Sequence, residues 1–202
     1  MKKICLLFAL TLLFNSAFSQ PMSGFLKSND LVWYGIDFSK AKMVGPDFND
    51  PTAIVERYFT SWNELFISEH EKYSPEKYFC KANVTISFEE VTKRNKMVDP
   101  TKIVVPSTQQ VALGKSDIEQ IVKEFDFGSH TGYGALMIVE KFNKLEEHAY
   151  IYVVIIDLNN KAILKSALIK GKARGFGFRN YWAGAIYDVL KECKNEFATK
   201  SN

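Results

Sequence analysis

Three short stretches bring together residue types that do chemistry. Glu69-His70-Glu71 offers the ligand types of a metal site, but the zinc-protease pattern H-E-x-x-H needs a second histidine where Ser74 stands. Adjacent side chains on a helix or turn also point apart, so the triplet reads as a solvated polar helix end. Gly114-Lys115-Ser116 is a fragment of a phosphate loop, and the glycine required five residues earlier is Gln109; it reads as a helix cap, with Ser116 and Glu119 at capping-box spacing. His130 lies in the glycine-rich run 128–134, close in sequence to Asp126 and Ser129. That run leads into a strand, whereas phosphate cradles lead from a strand into a helix, and no G-x-S-x-G elbow occurs. A hydrolase would have to assemble its site through space from His130, His70 or Glu69. No catalytic residue, metal or cofactor is assigned.

The most unusual stretch is GKARGFGFRNYWAG, residues 171–184. Gly175 and Gly177 permit backbone angles closed to other residues, and Arg174, Phe176, Phe178, Arg179, Tyr181 and Trp182 crowd the same turn. These six are the expected binding residues, either for an anion at a helix N-terminus or as an aromatic and arginine hot spot for a partner. The competing reading is a tight crossover whose aromatics fill the core and whose arginine pairs with a carboxylate. A dinucleotide fingerprint is ruled out, because its third glycine is Asn180.

The elements that must hold this turn follow from periodicity. Residues 31–38 (LVWYGIDF) and 83–89 (NVTISFE) read as strands, the second by strict alternation, and 103–105 as a short one. Asp50-Pro51 reads as N-cap and first helical residue. Behind it Ile54, Val55, Tyr58, Phe59, Trp62, Leu65 and Phe66 fall at helical spacing, with Asn63 and Glu64 expected at the surface. Ile118, Ile121, Val122 and Phe125 make the apolar face of a second helix. The apolar runs 135–139 and 151–156 read as central strands covered on both faces, joined by polar turns to each other and to 162–169. Trp182, Ala185, Ile186, Val189, Leu190, Cys193 and Phe197 repeat at three and four in a last helix. The expected fold is α/β (α+β): a single layered domain over 20–202, with a mixed sheet, a C-terminal three-strand antiparallel meander and about three helices. Residues 20–30 read as a loose N-terminal arm.

The run from Gly134 to Leu190, including YIYVVIIDLNNKAIL and GFGFRNYWAGAIYDVL, resembles an uncharacterised family of secreted bacterial proteins of unknown function. Its VVIIDLNNKAIL portion is also similar, at fold level, to periplasmic α/β domains of the TolB amino-terminal and curli-secretion lipoprotein type. The resemblance covers roughly the last third of the chain and implies an α/β fold working outside the cytoplasm. It brings no catalytic motif, and the lipid-attachment cysteine of the lipoproteins is missing, so no lipid anchor is implied.

The amino-terminal end agrees. Lys2 and Lys3 precede an apolar run from Ile4 to Phe14, and Ala17-Phe18-Ser19 places small residues before a cut at Gln20, the layout of a secretory signal peptide over 1–19. The run is short of the roughly 20 residues a membrane span needs. Losing Lys2 and Lys3 lowers the formal net charge from +3 to +1, so nucleic acid is not an implied partner. Of three cysteines, Cys5 leaves with the leader, while Cys80 and Cys193 remain in an oxidising compartment. A disulfide between them would constrain the unfolded chain by about 4–5 kcal/mol in the chain-entropy model; the alternative is two buried thiols. The sequence therefore points to a periplasmic or secreted, non-enzymatic domain that binds a protein or other envelope component. A carrier of a small glycan or anion is the alternative.

Overall fold

The computed structural model describes residues 22–198; the leader and its cleavage point lie outside the described residues. In chain order the elements are α1 (Met22–Lys27), β1 (Asp30–Asp37), β2 (Lys42–Val44) and a helical stretch over 51–68. That stretch comprises α2 (Pro51–Ala53), a widened π turn (Ile54–Tyr58), α3 (Phe59–Asn63) and α4 (Leu65–Ser68). There follow α5 (Pro75–Phe79), β3 (Asn83–Ile86), α6 (Glu89–Lys96), β4 (Val104–Val105) and α7 (Lys115–Glu124). The chain closes with β5 (Tyr133–Asn143), β6 (His148–Asp157), β7 (Ala162–Lys172) and α8 (Phe178–Cys193).

All seven strands join one mixed sheet. β5 is its axis. One edge of β5 is shared end to end by β1, over residues 134–138, and β2, over 141–143, both parallel to it. β3 then lies parallel outside β1, and β4 parallel outside β2. The other edge of β5 pairs with β6, and β6 with β7, antiparallel along their lengths. An α/β fold with a mixed sheet is therefore correct. The C-terminal strands β5–β7 are antiparallel neighbours, but a meander with three helices does not describe the whole architecture, because four of the six strand pairings are parallel. The described residues also hold six helical units when 51–68 is counted once. The short strands β3 and β4 fall within the expected stretches 83–89 and 103–105, whereas the three-residue β2 and α6 (EEVTKRNK), which buries only Val91 and Asn95, carry no periodic signal.

Helices cover both faces. On the larger side Trp33, Met137, Ile151 and Val153 pack against 51–68, α5 and α8. On the smaller side Val32, Tyr34, Leu136, Ile138 and Val154 meet α7, Phe125 and Phe127. Burying two such faces against helices is what a sheet apolar on both sides requires.

Several local expectations are corrected. Residues 22–27 are not a loose arm: Phe25 is fully buried, and the buried Lys81 ammonium donates to the carbonyls of Phe25 and Ser28 while lying 3.9 Å from the Phe25 ring centre. Those carbonyls end a short helix and need donors. Asn63 is buried rather than solvated. Its Oδ1 accepts from Ile36 N at 2.7 Å and its Nδ2 donates to Ile36 O at 3.0 Å. It can do so because Gly35 (φ +87°) bulges β1 away from regular pairing. Asn95 of α6 completes the clamp on Phe38 N and Ile36 O. At the start of α7 it is Asp117, not Ser116 with Glu119, that reaches back to the cap, accepting from Gly114 N at 2.7 Å. Asp50 does cap the 51–68 stretch, accepting from Ala53 N at 2.9 Å.

Cys80 and Cys193 are free thiols, which overturns the disulfide. Cys80 ends α5 in the left-handed region (φ 53°) and is exposed. Cys193 is buried on the core side of α8, and burial pushes its thiol pKa up. Among the described residues no helix is long and apolar enough to cross a membrane.

Candidate functional site

The turn 174–178 sits where the C-terminal ends of β2, β5 and β7 meet the start of α8. The crossover from β7 is tight. Ala173 N donates to Glu147 O, Arg174 N to Tyr181 O and Tyr181 N to Gly177 O. Gly175 (φ +134°) has no room for a side chain, since an added Cβ would lie 2.6 Å from Asn180 O. Gly177 (φ +77°) provides the N-cap of α8. The glycines are thus required by backbone geometry.

The six expected residues separate into three groups. Trp182 is core, stacked on Phe142 (centroids 4.6 Å, 12° between planes) and on Phe48 (5.5 Å, 23°). Arg174 and Arg179 are spoken for. Arg174 pairs with Asp188, and Arg179 reaches Glu69 at 3.4 Å and Asn180 at 3.1 Å. Partial burial opposes ionisation of Asp188, but Lys191, the Lys172 N–H and Arg174 hold its carboxyl below the usual carboxylate range. Tyr181 and Phe178 are half-buried and Phe176 is 97 % exposed. Neutralised guanidinium groups make a poor anion receptor, so the anion reading loses its cations. What remains at the surface is aromatic.

Around that turn lie residues that sequence reasoning missed. A cleft of about 260 Å³ is lined by Asp47, Phe48, Lys144, Phe178 and Tyr181, and floored by the two glycines and Trp182. A neighbouring depression of about 200 Å³ is lined by Asp47, Asn49, Asp50, Tyr58 and Phe178. Asp47 and Phe178 belong to both, so the Phe178 ring forms a ridge between them. Lys144 pairs with Asp47 at 3.5 Å and lies 4.1 Å from the Tyr181 ring centre. The Tyr181 hydroxyl meets Glu147 at 3.2 Å; burial, then that bond, raises its pKa. Beside the cleft Leu145 is 64 % exposed at the tip of the β5–β6 hairpin, against Gly45. The signal that could have found these residues is Gly45-Pro46-Asp47, a turn after a strand too short to recognise. Asp47 itself is left-handed (φ 73°).

The residues a hydrolase would use are not brought together. The His130 ring contacts Tyr34 Oη at 3.2 Å and Phe127 O at 3.0 Å, on the α7 side of the sheet. His70 contacts Phe66 O and, at 3.4 Å, Glu76, on the opposite side, while Glu69 is engaged by Arg179.

No protein-family model matches the chain, and no curated protein matches it. Among solved structures, the chain is similar to protein XCC0632 from Xanthomonas campestris, described as family-model DUF330. The identity is 7 % and the TM-score 0.28, over 84 % of this chain and 80 % of that one, a likeness too low to transfer fold or function.

Proposed function

We propose that this chain is a non-enzymatic binding domain of the bacterial envelope, working in the periplasm or outside the cell. It engages an envelope component through the end of the molecule formed by residues 45–50, 143–147 and 174–181. The observation that carries the reading is Phe176, a large apolar ring left 97 % exposed on a turn whose flanking glycines, Gly175 and Gly177, line an aromatic cleft. A ring held in water contributes nothing to folding, whereas exposed aromatics next to polar rims are what binding surfaces use. The leader-like residues 1–19 support the location, and the resemblance of 134–190 to secreted proteins agrees with it. The absence of a complete catalytic motif in the sequence supports binding over turnover.

The test is co-sedimentation of residues 20–202 with two washed envelope fractions, insoluble cell-wall polymer and membrane vesicles. Retention on one of them, reduced at least tenfold by Phe176→Ala, is expected. Equal retention of wild type and variant, or no retention on either fraction, overturns the proposal.

A further inference from the structure

We infer that the occupant of the cleft is an uncharged oligosaccharide, seated with two adjacent sugar rings on either side of the Phe178 ridge. This rests on the binding reading above and names the partner's chemistry.

The charges argue first. Arg174, Arg179 and Lys144 each face a carboxylate, Asp188, Glu69 and Asp47 respectively. Arg57 lies over the Tyr58 ring at 5.4 Å and lines neither depression. With Asp50 and Glu147 added, the rim is oxygen-rich and short of available cations, which disfavours a phosphate, uronate or other anionic ligand.

The hydrogen-bonding groups argue second. Asn49 and the Tyr58 hydroxyl make no hydrogen bond among the described residues, and Asp50 uses one oxygen only, for Ala53 N. An amide, a phenol and carboxylate oxygens arranged around a small hollow suit a ligand that both donates and accepts at many hydroxyls.

Shape argues third. Lys144 covers the Tyr181 ring, leaving Phe178 as the apolar plane shared by the two hollows and Phe176, exposed between the lining glycines Gly175 and Gly177, as a second plane at their edge, surfaces of the kind on which the C–H face of a pyranose rests. The two hollows, about 260 and 200 Å³, meet at Asp47 and Phe178. That is room for a short chain of rings rather than for an extended polypeptide, and it predicts preference for an oligomer over a monosaccharide.

The experiment is an array of uncharged and anionic oligosaccharides of one to six rings, probed with residues 20–202 and with Phe176→Ala and Asp47→Asn. Asp47 sits at φ 73°, a conformation asparagine tolerates, and both side chains are exposed, so both variants keep the fold; a melting curve on each checks this. The expected result is signal on uncharged oligosaccharides of two or more rings, at least tenfold weaker for both variants. Signal confined to anionic glycans, signal on single rings equal to that on oligomers, signal unchanged in both variants, or no uncharged oligosaccharide retained each overturns the inference. If wild type sediments with an envelope fraction through Phe176 yet fails on the array, the saccharide assignment falls and the binding-domain reading stands. If it does neither, both fall.

Discussion

The indole N–H of Trp62 donates to the main-chain carbonyl of Arg179 at 3.0 Å. This bond ties the helical stretch 51–68 to the first turn of α8, and so fixes the ridge residue Phe178 against Tyr58, 4.9 Å away. Because the acceptor is backbone, the tie does not depend on the arginine side chain. Trp62→Phe is expected to cost about 1–3 kcal/mol by leaving that carbonyl without its donor. Arg179→Ala, which removes a partly exposed pair with Glu69 and an exposed hydrogen bond to Asn180, should cost under about 1 kcal/mol. Urea denaturation of both variants checks the order, and a costlier Arg179→Ala would refute it.

The clamp on β1 gives a second expectation. Asn63→Ala strands the buried Ile36 N–H, at about 1–3 kcal/mol. Gly35→Ala should be worse than Asn63→Ala. Its Cβ would fall 2.3 Å from Asn63 Oδ1 at a φ of +87°, so it combines strain with loss of the same bond. Chemical denaturation ranks the pair.

Asp37 is wholly buried and bonded to Arg94 Nε at 2.6 Å, with Ser39 N on its other oxygen. Arg94→Met leaves a carboxylate buried without its cation, for which about 3–5 kcal/mol is expected. The double variant Asp37→Asn, Arg94→Met should recover part of this. A double-mutant cycle in urea measures the coupling, and additive losses would show that the two groups do not act as a pair.

Lys81 supplies a pH dependence of definite sign. Burial lowers its pKa below the ordinary 10.5, against a smaller opposing effect of Cys80. With the folded value below the unfolded one, the unfolded chain binds more protons between them, so stability rises with pH across that window. The cost of the buried ammonium is present below the folded pKa and gone above the unfolded value of about 10.4. The stability of wild type relative to Lys81→Met should therefore increase from neutral pH towards that value. A difference independent of pH would show that the pKa is not lowered.

The two thiols should be kinetically distinct. Cys80 is exposed and Cys193 buried, so in native protein comprising residues 20–202 a thiol reagent should modify one cysteine promptly and the second only on unfolding. Loss of both titratable thiols in native, non-reduced protein would restore the disulfide.

How much of this was legible follows from element length and from where side chains find partners. The 51–68 helix, α7, β5–β7 and α8 announce themselves through long apolar repeats, and the Asp50 cap through its proline. In the region 77–114 alternation marks β3 and the Asp99-Pro100 turn precedes β4, but α5 and α6 are short, and α6, mostly charged, shows no apolar stripe. Asn63 looked like a surface residue because helical spacing ranks it with Glu64. Only the bulge at Gly35, distant in sequence, gives its amide a buried role. The turn 171–184 stood out by composition. Its arginines, though, meet their carboxylates through contacts spanning 14 residues (Asp188) and 110 residues (Glu69), and Asp47 and Lys144 join it only through the sheet.

The position of β5 sets the order in which the molecule can be built. Val32 pairs with Gly134 and Lys42 with Lys141, so each of these contacts closes a loop of roughly a hundred residues, an entropic step that slows folding. During synthesis from the amino terminus, β1 and β2 emerge long before the strand that joins them exists. For about two thirds of its translation the chain can form little more than the separate β1–β3 and β2–β4 pairs and local helices. The sheet therefore cannot close until the last third is made, and a polypeptide truncated before residue 133 should accumulate as an aggregation-prone fragment rather than as a smaller folded unit.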